Sequence, residues 1–530
     1  MTMSLLIMVP VIASIFVYKL PSKLSLLLLW LVEFFLAYTA ITLLINTNLN
    51  ESMMQILGGT DSILYIALVG NRMAFIFVTL ASIFFPIIHL YAFRESYYKP
   101  KFMMLTLVLQ GVINGLFLTN DIFNLFVLFE VSTVVLVLLI MFQKTKDSIF
   151  NTLYFITIQV LSMTFFLLGI AYIYRIFGVL AIDVIADRMH YVPAQSLIMP
   201  AALMFTGLGV KLGFFPMFSW IKPTYMSPAN PIAVQAIQSG LFIKTSAFMF
   251  SRLIFIYSGV SAFHNILIVI TLLSSIVGII KALSQKNPSL ILAFSTVSQV
   301  GLLSAGFLLG EKAYYGAMLH TINHAFFKAL LFLAIGIVMS KYKTSDIKQI
   351  RGVLKNMPFV GAMIIVGILA VTGAPFFNGY ISKYMMMDTS NIWLNIVFQI
   401  INFGTIAYFV RFSSILFGES TLEDTSVSIN KKLSMSLLAI LIIGFGIFGI
   451  AIVNYLFGYS FSISIGSHLE KVIIYFGMII VAYYLYKLVL SSNDWLYTRF
   501  NRSLSLNNSI AVIIVFFMVL MVYGLVFYAV

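Results

Sequence analysis

The sequence predicts an all-α polytopic membrane protein, and three observations carry that fold class. Only 9% of the 530 residues are charged while 61% are hydrophobic, too few polar groups to cover a water-soluble globule of this size. The apolar residues gather into about sixteen runs of a length that can span a hydrocarbon core ~30 Å thick. The basic residues fall between those runs in alternation, as expected of a chain that crosses a bilayer repeatedly.

In chain order the runs occupy approximately 2–18, 24–46, 63–93, 101–119, 122–142, 151–176, 197–220, 229–257, 263–284, 289–309, 313–340, 358–386, 391–417, 433–457, 468–491 and 507–529. The first, "MTMSLLIMVPVIASIFVYKL", has neither a basic n-region nor an A-x-A cleavage site, and it reads as a retained helix rather than a signal peptide. No stretch rich in Pro, Gly or Ser and no hydrophilic domain separates the runs, so the chain reads as one membrane body.

The loops set the orientation. Of the 31 Lys and Arg, 21 follow odd-numbered runs. The alternate loops hold only Arg175, Arg188, Lys312 and Lys471, and Arg72, Lys211, Lys244, Arg252, Lys328 and Lys383 lie inside runs. Under the positive-inside rule both termini face outward and "KYKTSDIKQIRGVLK" (341–355) is the main cytoplasmic loop. The net charge of +14 is thereby a topology signal in a cell-membrane protein and not a nucleic-acid footprint. With no cysteine, disulfides, thiolate metal sites, iron–sulfur ligation and cysteine nucleophiles are excluded. No cofactor is expected on this chain.

The seventh and twelfth runs look broken, and they resemble each other. "KLGFFPMFSWIK" (211–222) and "VTGAPFFNGYISK" (371–383) each place a Gly, a nearby Pro, clustered aromatics and a Lys inside a spanning run. A proline there frees backbone groups that need protein or water as partners. Paired interruptions of this kind mark an inverted repeat with the ion path at the breaks, unless they are two unrelated proline kinks.

The intramembrane ionisable groups are Glu33, Arg72, Glu130, Lys211, Lys244, Arg252, His320, His324, Lys328 and Lys383. From Asp121, at the edge of the fifth run, to Glu130 is nine residues, roughly 14 Å of helix, which puts the carboxylate near the bilayer midplane. Charge at that depth is costly, and the default explanation is an ion path with an oppositely charged partner. His320, His324 and Lys328 follow one another at i, i+4 steps, a gently twisting polar stripe. Burial favours a neutral amine and a nearby carboxylate favours a charged one, so a lysine between them changes protonation when its partner moves. Histidine titrates near neutrality and has two nitrogens, which suits relaying. The bland readings stand beside these. His320 alone fits a hydrogen-bonded packing residue, Arg252 and Lys383 fit side chains snorkelling to a helix end, and Glu33 and Arg72 fit a structural pair as well as a functional one. His320 and His324 lack further ligands at metal-site spacing.

Six stretches carry a family likeness: "TNDIFNLFVLFEV" (119–131), "GVKLGFFPMFSW" (209–220), "GLFIKTSAFMFSRL" (240–253), "LAFSTVSQVG" (292–301), "HTINHAFFKALLFLAIG" (320–336) and "MPFVGAMIIVGILAVTGAPFFNGYISK" (357–383). Together they resemble the antiporter-like, proton-pumping membrane subunits of respiratory complex I, membrane-bound hydrogenases and multisubunit Mrp-type sodium/proton antiporters. The resemblance runs in order over about residues 60–420. It implies fourteen core helices with two inverted five-helix repeats, each with a broken helix, and about two C-terminal helices beyond them. The corresponding segments are 1–100 (helices 1–3), 101–257 (first repeat), 263–417 (second repeat) and 433–530 (helices 14–16). It also implies the roles. Glu130 matches the family's helix 5 glutamate and Lys211 its helix 7 partner. Lys244 matches the helix 8 lysine, His324 and Lys328 match the helix 11 relay, and Lys383 matches the terminal lysine of helix 12; His320 joins the proton-transfer set from its place on the polar stripe alone. Partners would be other membrane subunits of one complex, and the transported ions protons and sodium.

This sequence departs from the family where many members have a helix 6 lysine, here Tyr154, and an early helix 3 aspartate, here Asn71 beside Arg72. The family's "WLP" reads "WIKP" (220–223) here. An Mrp D-type subunit is the first expectation, and the equivalent subunit of a hydrogenase or complex I-like oxidoreductase the second. A non-pumping scaffold and a stand-alone transporter of an organic solute are the rivals from other classes. Redox chemistry on this chain itself is the least favoured, with no cysteine and no nucleotide-binding domain.

Overall fold

The computed structural model describes residues 2–57, 66–227, 230–257, 263–388, 391–419, 422, 424–490, 495–501 and 503–528. Residues 63–65, 229, 491 and 529 of the predicted runs lie outside the described residues. Every run contains a helix. The membrane helices are α1 Leu5–Lys19, α2 Ser22–Asn46, α3 Arg72–Ala92, α4 Pro100–Leu118, α5 Ile122–Ile140, α6 Lys146–Phe177, α7 Ala194–Leu212, α8 Ile232–Ile256, α9 His264–Leu283, α10 Pro288–Gly306, α11 Glu311–Tyr342, α12 Pro358–Thr372, α13 Ile392–Ser413, α14 Ile429–Ile447, α15 Ile465–Leu485 and α16 Leu506–Tyr528. Among the described residues fourteen helices are long and apolar enough to cross a membrane, and α1 and α12 are shorter apolar helices.

Local chemistry sets the boundaries. Pro100, Pro288 and Pro358 open α4, α10 and α12, where a missing N–H costs nothing and the fixed φ suits the first turn. Asn287 caps α10 by accepting from the Ser289 amide at 2.8 Å, and Gly178, with φ of 69°, closes α6 in the left-handed conformation.

The third run needs correction. Its first described residues are not helical: Ile66–Asn71 pairs antiparallel with Ser52–Leu57, from Ser52 opposite Asn71 to Leu57 opposite Ile66. The helix begins at Arg72 because the Asn71 side chain accepts from the Ala74 amide at 2.8 Å. Asn71 is thus a cap, a task that asparagine and aspartate perform equally well. The fourteenth run is also divided, α14 ending at Ile447 and a further helix running Gly449–Phe457.

The chain forms two compact units. The first comprises Met1–Val234, Leu241–Ile268 and Ser505–Val530. In it α1 packs on α4, and α7 packs on both α6 and α16. Small residues permit the close approaches: a Cβ on Gly111 would lie 2.7 Å from the Ile7 carbonyl oxygen, and one on Gly207 2.6 Å from that of Ser162. The Ser162 hydroxyl donates to the Gly207 carbonyl at 2.5 Å. Such backbone proximity is how helices associate where lipid offers no hydrophobic drive.

The second unit comprises Gln235–Gly240 and Val269–Leu504. The 32-residue α11 packs against α10, α12, α14 and the helix Asn378–Met387. Gly278 and Gly301 bring α9 onto α10, since a Cβ on either would stand 2.5 Å from backbone of the neighbouring helix.

Candidate functional site

Both broken helices are interrupted in the same way. α7 stops at Leu212, Gly213 turns left-handed (φ 68°), and the Phe214 amide reaches back to the Gly209 carbonyl at 2.9 Å. α12 stops at Thr372, Gly373 turns left-handed (φ 81°), and the Ala374 amide reaches back to the Leu369 carbonyl, also at 2.9 Å. These are glycine C-caps that satisfy the last carbonyls of each half-helix. Helix resumes at Ile221–Met226 and at Asn378–Met387. The Trp220 indole donates to the Val210 carbonyl at 2.9 Å, so a side chain occupies what the break leaves open.

In the first unit, Lys211 lies in the last turn of α7 and is buried. Its ammonium donates to the Thr133 hydroxyl on α5 at 2.9 Å and faces the Gln159 side-chain oxygen on α6 at 3.4 Å. The Phe129 ring centroid lies 5.1 Å away, where a cation gains from the ring face. Glu130 is on α5, three residues before Thr133 and so on the same side of that helix. Glu130 and Lys211 form no contact ion pair in this conformation. The buried carboxylate oxygen Oε1 of Glu130 makes no hydrogen bond. Lys244, fully buried, follows directly on the π-helical turn Gln238–Phe242 within α8.

The Tyr154 departure has a local explanation. Its hydroxyl is 2.6 Å from that of Ser509 on α16, while Gln159, further along α6, serves Lys211. Arg252 reaches the end of α4: its guanidinium donates to the Thr119 carbonyl at 2.7 Å and lies 3.3 Å from the Asn120 side-chain oxygen, holding the stretch just before Asp121. Arg72 and Glu33 do not pair. Arg72 donates to the Thr47 carbonyl at 2.7 Å, and Glu33 turns to Gln110 and His89.

In the second unit the α11 stripe is buried throughout. His320 is bonded at both nitrogens, Nδ1 to the Ser382 hydroxyl at 2.9 Å and Nε2 to the Gln299 oxygen at 3.1 Å. Because Gln299 gives its amide N–H to Thr405 at 3.2 Å, the oxygen facing His320 can only accept. Nε2 is therefore set to donate to Gln299, while Nδ1 faces a Ser382 hydroxyl whose one hydrogen also has the Gly379 carbonyl within reach at 3.2 Å. His324 lies one turn on, its ring centroid 6.2 Å from that of His320. Lys328 donates to the Leu292 carbonyl at 2.9 Å and to the Ser295 hydroxyl.

Lys383 follows Ser382 on Asn378–Met387, and its ammonium donates to Asn402 at 2.9 Å. It borders a cavity of about 50 Å³ shared with Tyr380, Asn402, Lys471 and Tyr475, room for one or two waters. Among the described residues no three His, Asp or Glu converge as metal ligands. Thr133, Gln159, Gln299, Ser295, Ser382 and Asn402 are absent from the sequence-derived set. As uncharged residues in apolar runs they carry no signal until folding brings them to a charge.

Residues 119–409 match the family model described as NADH:quinone oxidoreductase/Mrp antiporter, TM. The chain belongs to that family. A relative in the family, the D-type Na(+)/H(+) antiporter subunit of Alkalihalophilus pseudofirmus, is 30% identical over 358 residues, 66% of this chain and 72% of the relative. Two solved structures share the family fold. A chain of the membrane-bound sulfane sulfur reductase, an archaeal respiratory membrane complex, superimposes with a TM-score of 0.80 at 24% identity, covering 90% of this chain and 99% of its own. A chain of the Mrp complex from Dietzia sp. gives 0.80 at 20% identity, covering 89% and 99%.

Proposed function

We propose that this chain is the proton-translocating, antiporter-like subunit of a multisubunit Mrp-type cation/proton antiporter, seated in the cell membrane with both termini outside and other membrane subunits as partners. Protons are the transported species, with sodium as the candidate exchanged cation. The observation that carries this reading is the setting of Lys211: a buried ammonium resting on Thr133 and Gln159, one turn along α5 from a carboxylate that it does not touch. A swing of about one helical turn, roughly 5 Å, exchanges Thr133 for Glu130 as its partner. With Glu130 the charged lysine is favoured, and on neutral oxygens in a buried site it is more ready to give up its proton. Lys244 belongs to the same unit, and His320, His324, Lys328 and Lys383 form the second unit's set. His320 is the titratable group held between Ser382 and Gln299, and Lys383 meets water in its cavity. Lifting one charge against 100 mV requires about 2.3 kcal/mol, so coupling must bias the lysine's two positions by at least that much.

The alternative is the same subunit in a redox-driven complex of hydrogenase or complex I type, favoured by "HTINHAFFKALLFLAIG" (320–336) and by the equal overlay on the archaeal respiratory chain. The deciding experiment is proton and sodium flux in inverted vesicles holding the whole complex, wild type against Glu130→Ala and Lys211→Ala, each variant first shown to assemble. Loss of ion-coupled flux in both variants supports the reading. Normal pumping by either assembled variant removes the pair as a switch and leaves a scaffold role.

A further inference from the structure

The N-terminal helices of the first unit bury a second titratable set, separate from the residues assigned above. Glu33 sits midway along α2, His89 in the last turn of α3 and Gln110 midway along α4, and all three are buried. Gln110 donates to Glu33 Oε2 at 3.0 Å, and the other carboxylate oxygen faces His89 Nε2 at 3.4 Å. His89 Nδ1 in turn lies 3.2 Å from the hydroxyl of Tyr98, a half-buried residue of the α3–α4 connection. The imidazole is thus hydrogen-bonded at Nδ1, while Nε2 and the carboxylate oxygen facing it lie within ion-pair distance without a hydrogen bond between them, so transfer across that gap needs a turn of the ring or a bridging water. A proton accepted at Nδ1 from the phenol side releases the one at Nε2 towards the carboxylate, and a tautomer flip resets the ring.

The surroundings suit proton movement better than static packing. On these three helices, Glu33 Oε1, His89 Nε2, Thr39, Thr79, Ser82, the Gln110 oxygen and the Asn114 oxygen are buried without a hydrogen-bond partner. Gln110 and Asn114 are one turn apart on α4, and Ser82 and His89 share one stripe of α3 at i, i+7. Pro86, inside α3, has no N–H for the Ser82 carbonyl. Unsatisfied polar groups at this density are where internal water resides, at about three hydrogen bonds per molecule. The other titratable groups of the α3–α4 connection are Arg94, Glu95, Tyr97 and Lys99, followed by Lys101 on α4. Under the orientation proposed above these lie at the cytoplasmic surface.

We propose that Tyr98, His89 and Glu33 form a proton-uptake line through α2, α3 and α4, distinct from the Glu130–Lys211 centre, with Tyr98 as its inlet and Glu33 as the store. This rests on the proton-transport reading, and the test separates the two. In vesicles holding the complete complex, Glu33→Gln keeps the polar shape but removes the storable proton, and Tyr98→Phe keeps the ring but removes the inlet hydroxyl. Each is expected to lower proton flux by about tenfold or more, the scale of a lost proton-transfer group. Lys211→Ala, run alongside, reports on the transport reading. Flux lost in Lys211→Ala but unchanged in Tyr98→Phe and Glu33→Gln overturns the uptake line and leaves the transport reading standing. If Lys211→Ala also pumps, the transport reading falls, and pH-difference infrared spectra of the assembled complex decide the line without flux. A carboxyl band that titrates in wild type and disappears in Glu33→Gln supports it, and no such difference overturns it. Should Glu33→Gln fail to assemble, Tyr98→Phe decides by flux alone.

Discussion

Lys211 has its ammonium satisfied by two uncharged oxygens, and this makes Thr133 as informative a target as the charged pair itself. Thr133→Val is nearly isosteric and leaves the buried ammonium with Gln159 alone at 3.4 Å. A hydrogen bond to a charged group contributes ~1.5–3 kcal/mol, so losing it shifts the occupancy of the resting position by ~10–100-fold. Proton flux in reconstituted vesicles is expected to fall at least tenfold in Thr133→Val and to recover in Thr133→Ser; wild-type flux in the valine variant would sink the resting-position idea. Glu130 and Lys211 stood out in the sequence as candidates because a charge near mid-membrane is costly to keep without a use. Thr133 and Gln159 did not, since they lie 78 and 52 positions from Lys211 in the chain and nothing local distinguishes them from other polar residues of a membrane helix. His89 escaped for a related reason: it lies in the last turn of α3 near several aromatics, and only folding sets it against Glu33.

At the scale of elements, apolar run length located a helix in each of the sixteen runs, and among the described residues fourteen of these are long and apolar enough to span, because a spanning helix needs no tertiary context to be recognised. It failed at Ile66–Asn71, where an aliphatic stretch continuous with α3 pairs as a strand instead. Periodicity cannot separate six such residues from a helix's first turns. The breaks in α7 and α12 were visible through Gly and Pro, but what they position was not. The second break sets Ser382 on His320 and Lys383 on Asn402, and Gly379 makes that possible. A Cβ there would stand 1.9 Å from the Ala370 carbonyl oxygen, and backbone cannot yield as a flexible side chain does. Gly379→Ala is expected to destabilise the chain by at least ~1–3 kcal/mol, the scale of overpacking, and to weaken flux. Gly444→Ala, on α14 with open space at its Cβ, is the control and is expected to gain up to ~1 kcal/mol from helix propensity. Thermal melts of the two purified variants check both signs, and a neutral Gly379→Ala would mean that the half-helices are not held as tightly as the contact implies.

For the whole molecule the open question of greatest consequence is orientation, because it decides which face supplies protons to Tyr98 and which receives them at Lys383. The orientation proposed from the alternation of basic residues puts 341–355 inside and the connection between α2 and the strand Ser52–Leu57 outside. The absence of cysteine turns the natural chain into a clean background for testing this. Ser345 is exposed in the first of these segments and Asn50 in the second, so Ser345→Cys and Asn50→Cys each introduce one reactive thiol on the surface without touching a buried group. In intact cells an impermeant maleimide is expected to label Asn50→Cys and to reach Ser345→Cys only after permeabilisation. The reverse pattern would invert the assignment. Tyr98, on the loop after α3, would then face outward, and the line to Glu33 would be an exit for protons rather than an inlet. Labelling of both thiols in intact cells would mean that the charge alternation does not govern this chain, and the direction of every proton step would have to be fixed by flux measurements alone.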